Sequence, residues 1–222
     1  SYPIDTPAGF ADRFGVSRET IEKLETYEAT LRTWQSRINL VAPSTLEQVW
    51  SRHFADSAQL ALLAPESASR WLDLGSGAGF PGLVVAILLA GRPAPTPAPT
   101  VTLVESDQRK AAFLREVARL TATPVEILSI RIEQAATQAT LQPVDVVSAR
   151  ALAPLPRLLH LAAPFLSDAS VGLFLKGRDV ESEIADAKRH WVFECELVPS
   201  LTDEAAAVAV IRHLVATKEV DP

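Results

Sequence analysis

The sequence predicts an α/β protein: a mostly parallel seven-stranded sheet with helices on both faces, a C-terminal antiparallel hairpin and a short helical N-terminal section. Three observations predict this class. Beyond residue 69, short apolar runs alternate with helical patterns, as in parallel strands joined by crossover helices. The last two strand-like runs, WVFECELV and AAVAVIRHLVA, are joined by PSLTDEA alone, which is hairpin spacing at a sheet edge. The first 68 residues carry helical spacing and no strand signal, so the chain divides into a helical cap, 1–68, and a sheet domain, 69–222.

The elements follow in order. Ser17 is placed to cap a helix whose Ile21, Leu24, Tyr27, Leu31, Trp34 and Ile38 share one face. Ser44 is placed to cap a second, with Leu46, Val49, Trp50, Phe54, Ser57 and Leu60 on one side. Trp34 and Trp50 are expected to join these two helices. The strands are RWLDL, VTLVE, VEILSI, VDVVSA and VGLFLKG, and the helices between them fall at 81–90, 107–122, 133–140, 152–166 and 179–190. RPAPTPAPT, 92–100, reads as a stiff exposed connector.

Composition bounds the function. With 222 residues and 48% hydrophobic content the chain can bury a sizeable core. Its most apolar run, 83–90, is far short of the roughly 20 residues that span a membrane, so no membrane association is expected. SYPIDTPAGFADRFG has no basic segment followed by an apolar one, and no signal peptide is expected. Cys195 stands alone, which excludes an internal disulfide and a CxxC metal site. A cytoplasmic monomer without metal is expected. The net charge of −6 argues mildly against nucleic acid as a partner, although net charge says little about a local patch.

Chemistry concentrates in LDLGSGAGFPG, 72–82, which joins a strand to a helix. It contains a literal G-x-G-x-x-G, and in an open α/β sheet such a turn is where ligands bind. Glu105 ends the second strand roughly 20 residues on, where a carboxylate accepts from both ribose hydroxyls. Nicotinamide dinucleotide and S-adenosylmethionine sites share these features. Asp73, two residues ahead of the first glycine, favours the second, because a carboxylate suits a cationic amino-acid end and opposes a pyrophosphate. The long turn through Gly75, Gly77, Gly79 and Gly82 leaves room for a nucleoside, and no second domain offers a His or Lys for hydride chemistry. S-adenosylmethionine is the expected cofactor. An NAD-dependent oxidoreductase, a small-molecule methyltransferase and a nucleotide-sensing module remain as alternatives.

A methyl acceptor constrains the site further. Pyrimidine carbon-5 transfer needs a cysteine after the fourth strand, where Ser148, Ala149 and Arg150 stand instead. The Asn/Asp-Pro-Pro-aromatic turn used for exocyclic amines is also missing. Oxygen acceptors need a Lys or His base, for which Lys176 is a candidate. A ring nitrogen such as guanine N7 needs none.

At this point the chain resembles a known family. RINLVAP (37–43), RHFADS (52–57), LDLGSGAGFPG, LVESDQRKAAFLREV (103–117), RIE (131–133), DVVSARA (145–151) and LFLKG (173–177) occur in the order found in the bacterial small-subunit (16S) rRNA guanine-N7 methyltransferases, the RsmG (GidB) family. The resemblance implies a class I S-adenosylmethionine-dependent methyltransferase, Rossmann-like in fold, that methylates N7 of one guanosine in 16S rRNA. It implies that Gly75 and Phe80 belong to the cofactor loop and that Ile132 and Glu133 line the adenine. Arg150 is then close to both cofactor and target base, as the catalytic candidate. The expected cofactor set is Asp73, Gly75, Ser76, Gly77, Gly79, Phe80, Glu105, Ile132, Glu133 and Arg150. The expected substrate set is Asn39, Arg52, His53 and Lys176. Two departures stand out: Ile38 replaces the usual tyrosine, and the 92–100 insert is longer than usual.

Plainer readings exist for several of these residues. Arg150 is placed to pair with Glu133, and His53 with Asp56 three residues on. Arg109, Lys110 and Arg115 read as a solvated helix face far from the cleft, and Cys195 as a small core residue. RNA binding requires Arg32, Arg37, Arg52, Arg150, Arg157, Lys176, Arg178, Lys188 and Arg189 to gather around one opening, despite the acidic total.

Overall fold

The computed structural model describes residues 4–92 and 99–217. Most of the Pro-rich connector, 93–98, lies outside them. Seven strands form one sheet: β1 (Arg70–Leu74), β2 (Thr100–Val104), β3 (Glu126–Leu128), β4 (Val146–Arg150), β5 (Val171–Lys176), β6 (Trp191–Pro199) and β7 (Ala207–Ala216). Their order is β3-β2-β1-β4-β5-β7-β6. The first five run parallel, and β7 lies antiparallel between β5 and β6. The order reverses between β1 and β4, and a crevice opens there beyond the carboxyl ends of the strands.

The helices are α1 (Pro7–Phe14), α2 (Arg18–Gln35), α3 (Asp56–Ala58), α4 (Leu60–Leu63), α5 (Gly82–Ala90), α6 (Gln108–Leu120), α7 (Ile132–Ala135), α8 (Leu155–Ala162) and α9 (Val180–Ala187). Alternation along β1 divides the interior. Leu72 and Leu74 join a core on the side of α8 and α9, with Leu155, Leu159, Phe174 and Val180. Trp71 joins the opposite core, where Phe10, Leu24, Tyr27 and Phe54 pack with Phe80, Leu83 and Phe113. The N-terminal helices thus share their apolar interior with α5, α6 and one face of the sheet.

The N-terminal section departs from expectation in three ways. A short helix, α1, precedes the two predicted; Thr6 caps it, accepting from the Gly9 N–H at 3.1 Å, and Pro7 supplies the preset first turn. Ser17 caps α2 as expected, accepting from the Thr20 N–H. Ser44 caps no regular α-helix. The chain makes a 3-10 turn over Pro43–Gln48, then a π-helix over Val49–Ala55 that runs into α3 and α4. The reason is packing: Val49, Trp50, His53, Phe54, Ala55, Ser57 and Ala58 are all buried, which exceeds the single stripe of an ordinary helix. The wider turn brings both His53 and Phe54 onto the ring of Phe80, with centroids 4.8 and 6.1 Å away. Trp50 ties this segment to α2 by donating to Glu28 at 2.8 Å, whereas Trp34 packs edge-on against Phe113 of α6.

Candidate active site

β1 ends at Leu74 and the chain turns through Gly75 and Gly77, both at positive φ, before α5 begins at Gly82. At Gly75 the left-handed backbone strains any other residue, and a Cβ would stand 2.7 Å from the tip of the Leu152 side chain. The Ser76 N–H donates to the Val104 carbonyl at 3.1 Å, which anchors the loop to β2. Glu105, just past β2, accepts from the Gly77 N–H at 2.8 Å through one oxygen and from the Asp107 N–H at 2.7 Å through the other. Each oxygen keeps a further lone pair for a ligand.

These residues wall a cleft of about 450 Å³, lined also by Phe80, Ile132, Glu133, Arg150 and Leu152. Eight of the expected cofactor residues meet there: Gly75, Ser76, Gly77, Phe80, Glu105, Ile132, Glu133 and Arg150. Asp73 and Gly79 do not reach its wall. Asp73 is fully buried behind the loop, and its carboxylate accepts from Ser148 Oγ at 2.6 Å, which in turn accepts from the Trp71 indole at 2.8 Å. Burial pushes the Asp73 carboxyl up to about 6. Gly82 lets α5 press against it: a Cβ there would fall 2.5 Å from the Asp73 Cβ. Gly79 faces inward, where a Cβ would collide with the Tyr27 hydroxyl and Leu83. The two residues support the loop from beneath.

A second hollow of about 320 Å³ adjoins the cleft, and Arg150 and Ala151 line both. Arg150 is held on three sides. Its guanidinium lies 4.9 Å over the Phe80 ring, donates to the Arg52 carbonyl at 3.1 Å and pairs with Asp56 at 3.3 Å. It also donates to His53 Nδ1 at 3.0 Å. Asp56 therefore takes the place expected of Glu133 as its carboxylate. His53 does not bond Asp56; its Nε2 lies 2.8 Å from Thr45 Oγ1, and its ring stacks on Phe80 at 15°. Because guanidinium only donates, Nδ1 must accept, so the proton sits on Nε2. Thr45 Oγ1 donates to the Ala42 carbonyl at 2.7 Å and so is free to accept that proton. Burial, and then the Arg150 charge, lower the His53 pKa to about 3.

The remaining substrate candidates divide. Arg52 and Lys176 line the second hollow beside His53, while Asn39 is exposed and off both walls, next to Leu40 at the cleft. Lys176 is tied down: its ammonium pairs with Glu183 at 2.5 Å and donates to the Ala153 carbonyl at 3.0 Å. Of the nine basic residues expected around one opening, Arg150 and Arg157 line the cleft, and Arg52, Arg150 and Lys176 the hollow. Arg32 pairs with Glu28 and Glu47, and Arg189 with Asp186, so their charges are spent locally. Lys110, expected on a remote solvated face, lines the cleft, because the amino end of α6 starts right beside Glu105.

Sequence reasoning missed two supports. Tyr27 of α2 is fully buried, stacks on Phe80 at 5.4 Å and donates its hydroxyl to the Ala78 carbonyl inside the glycine loop. Its helical spacing marked it only as a core residue. Asp56 gave no signal beyond its nearness to His53.

Residues 20–215 match the family described as GidB, rRNA small subunit methyltransferase G. The chain belongs to that family. It is 51% identical over 205 residues to the ribosomal RNA small subunit methyltransferase G of Parvibaculum lavamentivorans, covering 92% of this chain and 88% of that one. It is 53% identical over 199 residues to the protein of the same name from Rhodospirillum centenum, covering 90% and 87%. A solved TehB-like SAM-dependent methyltransferase from Corynebacterium glutamicum superposes with a TM-score of 0.53 over 85% of this chain and 96% of that one, at 14% identity, a likeness of fold alone. The seven-stranded sheet with its antiparallel β7 is the class I methyltransferase fold. Among the described residues, no helix is long and apolar enough to cross a membrane.

Proposed function

We propose that this chain methylates N7 of one guanosine in 16S ribosomal RNA, with S-adenosylmethionine as donor, working as a monomer in the cytoplasm. The family carries the reaction class. The observation that carries the acceptor is the junction at Arg150, where the cleft and the second hollow share a wall and the histidine and lysine beside it are already engaged. His53 spends both ring nitrogens on Arg150 and Thr45, and Lys176 is held by Glu183. An oxygen or exocyclic-amine acceptor would need a group free to take its proton. N7 attacks with an available lone pair and releases no proton.

The cleft fits the donor. Its volume lies within the range of about 300–1,000 Å³ usual for small ligands. Glu105 retains acceptor capacity for ribose hydroxyls, and Ile132 and Leu152 offer apolar surface for an adenine. Gly77 opens onto space, since a Cβ there would meet only the Gly75 carbonyl at 3.9 Å. When bound, S-adenosylmethionine supplies an electrophilic methyl on a sulfonium. The protein's part is to hold the acceptor within about 3–3.5 Å of it and in line. Arg150, fixed by Asp56, the Arg52 carbonyl and Phe80, stands where the two meet. The roles of Asn39, Arg52, His53 and Lys176 in this reading are to shape and hold the RNA side.

The test is direct. Labelled cofactor, incubated with small ribosomal subunits lacking the modification, should place label on a single guanosine at N7. Absence of label in any ribosomal RNA would overturn the proposal.

A further inference from the structure

The second hollow is more than a vestibule. It shares Arg150 with the cofactor cleft, and its lining includes an ion pair between Arg52 and Asp203, 3.0 Å apart and 151 residues distant in sequence. Arg52 spans the wall: its carbonyl accepts from Arg150 at the junction while its guanidinium reaches Asp203 in the β6–β7 connection. Asp203 accepts the Ala205 N–H through one carboxylate oxygen and Arg52 through the other, which leaves one lone pair on each. These bonds and the Arg52 charge hold its carboxyl below the usual range, so it stays ionised. Its side chain is 36% accessible and lines the hollow. Asp56 differs: one of its oxygens already accepts from Gln59 and Thr202, and the other from Arg150.

We propose that this hollow receives the flipped-out target base and that Asp203, held by Arg52, is the specificity residue that reads it as guanine. The proposal rests on the reading that a purine N7 is the acceptor. With N7 turned toward the shared wall at Arg150, the opposite edge of guanine presents two adjacent donors, N1–H and the N2 amino group. A carboxylate with one open lone pair on each oxygen accepts from both. Adenine presents N1 as an acceptor on that edge, which meets the carboxylate lone pairs repulsively and is rejected. The residue acts on recognition and takes no part in the transfer itself.

The experiment uses the full chain and small subunits reconstituted with rRNA carrying either guanosine or inosine at the modified position. Inosine keeps N7, O6 and N1–H and lacks only the N2 amino group. Wild-type kcat/KM should fall on inosine by about 10–150-fold, the loss of one hydrogen bond to a charged acceptor. Asp203→Ala should lose both contacts on guanosine and the N1–H contact alone on inosine, so it falls further on guanosine and the difference between the two substrates disappears. Exposed ion pairs contribute little to folding, so the variant should keep its melting temperature and its affinity for S-adenosylhomocysteine. Asp203→Glu should restore part of the guanosine preference, which a purely structural partner of Arg52 has no reason to do. Retention of the full guanosine-to-inosine ratio by Asp203→Ala would overturn the assignment while leaving the methyltransferase reading intact. Failure of the wild-type chain to methylate either substrate would instead remove the reading on which it rests.

Discussion

His53 makes the sharpest prediction about the site's electrostatics. Protonating it would turn Nδ1 into a donor facing a guanidinium 3.0 Å away, at a residue only 6% exposed. Its pKa is therefore lowered to about 3, whereas in the unfolded chain an imidazole titrates near 6.5. Because the folded value is the lower one, the unfolded chain takes up the proton first. The His53 contribution to stability is complete above pH 6.5 and is lost as pH falls from there toward 3. Between pH 8.0 and 5.5 the loss works out at about 1.4 kcal/mol. Asp73 acts with the opposite sign: its carboxyl is pushed up to about 6, so the folded state binds that proton first and acidification over the same interval returns about 0.8 kcal/mol. The wild-type slope alone would thus conceal most of the effect. The comparison to make is with His53→Gln, whose amide can accept from Arg150 and donate to Thr45 without titrating, and which carries the same Asp73. Chemical denaturation at the two pH values should show wild type losing about 1.4 kcal/mol more than the variant. Imidazole nitrogen spectra should show one histidine that stays neutral, with its proton on Nε2, down to pH 5. Equal pH slopes in the two proteins, or a His53 that titrates near 6.5, would refute the reasoning.

Two further outcomes follow from the same contacts. Arg150→Ala should lower turnover by roughly 100-fold, because the acceptor loses its positioning at the junction, while affinity for S-adenosylhomocysteine by calorimetry falls by much less. Stability should also drop toward the low end of about 3–5 kcal/mol, since Asp56 loses its cation and both groups are about a fifth or less exposed; wild-type turnover would remove Arg150 from the site. Tyr27→Phe should cost about 1–3 kcal/mol by stranding the Ala78 carbonyl. That corresponds to roughly 2–4 °C in melting temperature for each kcal/mol in a chain of this size, and an unchanged melting curve would deny the bond any weight.

Much of the architecture is local chemistry and was readable as such. Apolar runs buried on both faces, β1 and β5 among them, need no partner information to be recognised as parallel strands. Gly75 and Gly77 declare a turn that other residues resist, and Glu105 follows at the spacing that β2 imposes. The segment after Ser44 departs from the single expected helix for the opposite reason. Its helix type depends on how many side chains its neighbours bury, and a 3.6-residue template does not represent the mostly buried stretch 49–61.

The sequence by itself determined the fold class, the glycine loop, the carboxylate that follows it and the arginine at the end of β4, because each depends on spacing along one strand or turn. Only the tertiary structure decided that Asp73 is a buried prop rather than a cleft wall, that Arg150 pairs with Asp56, that Lys110 faces the cleft, and that Arg52 meets Asp203 across the second hollow. These facts depend on which elements come to lie side by side. Side-chain charge and spacing leave that open until the two apolar cores close and fix the distances.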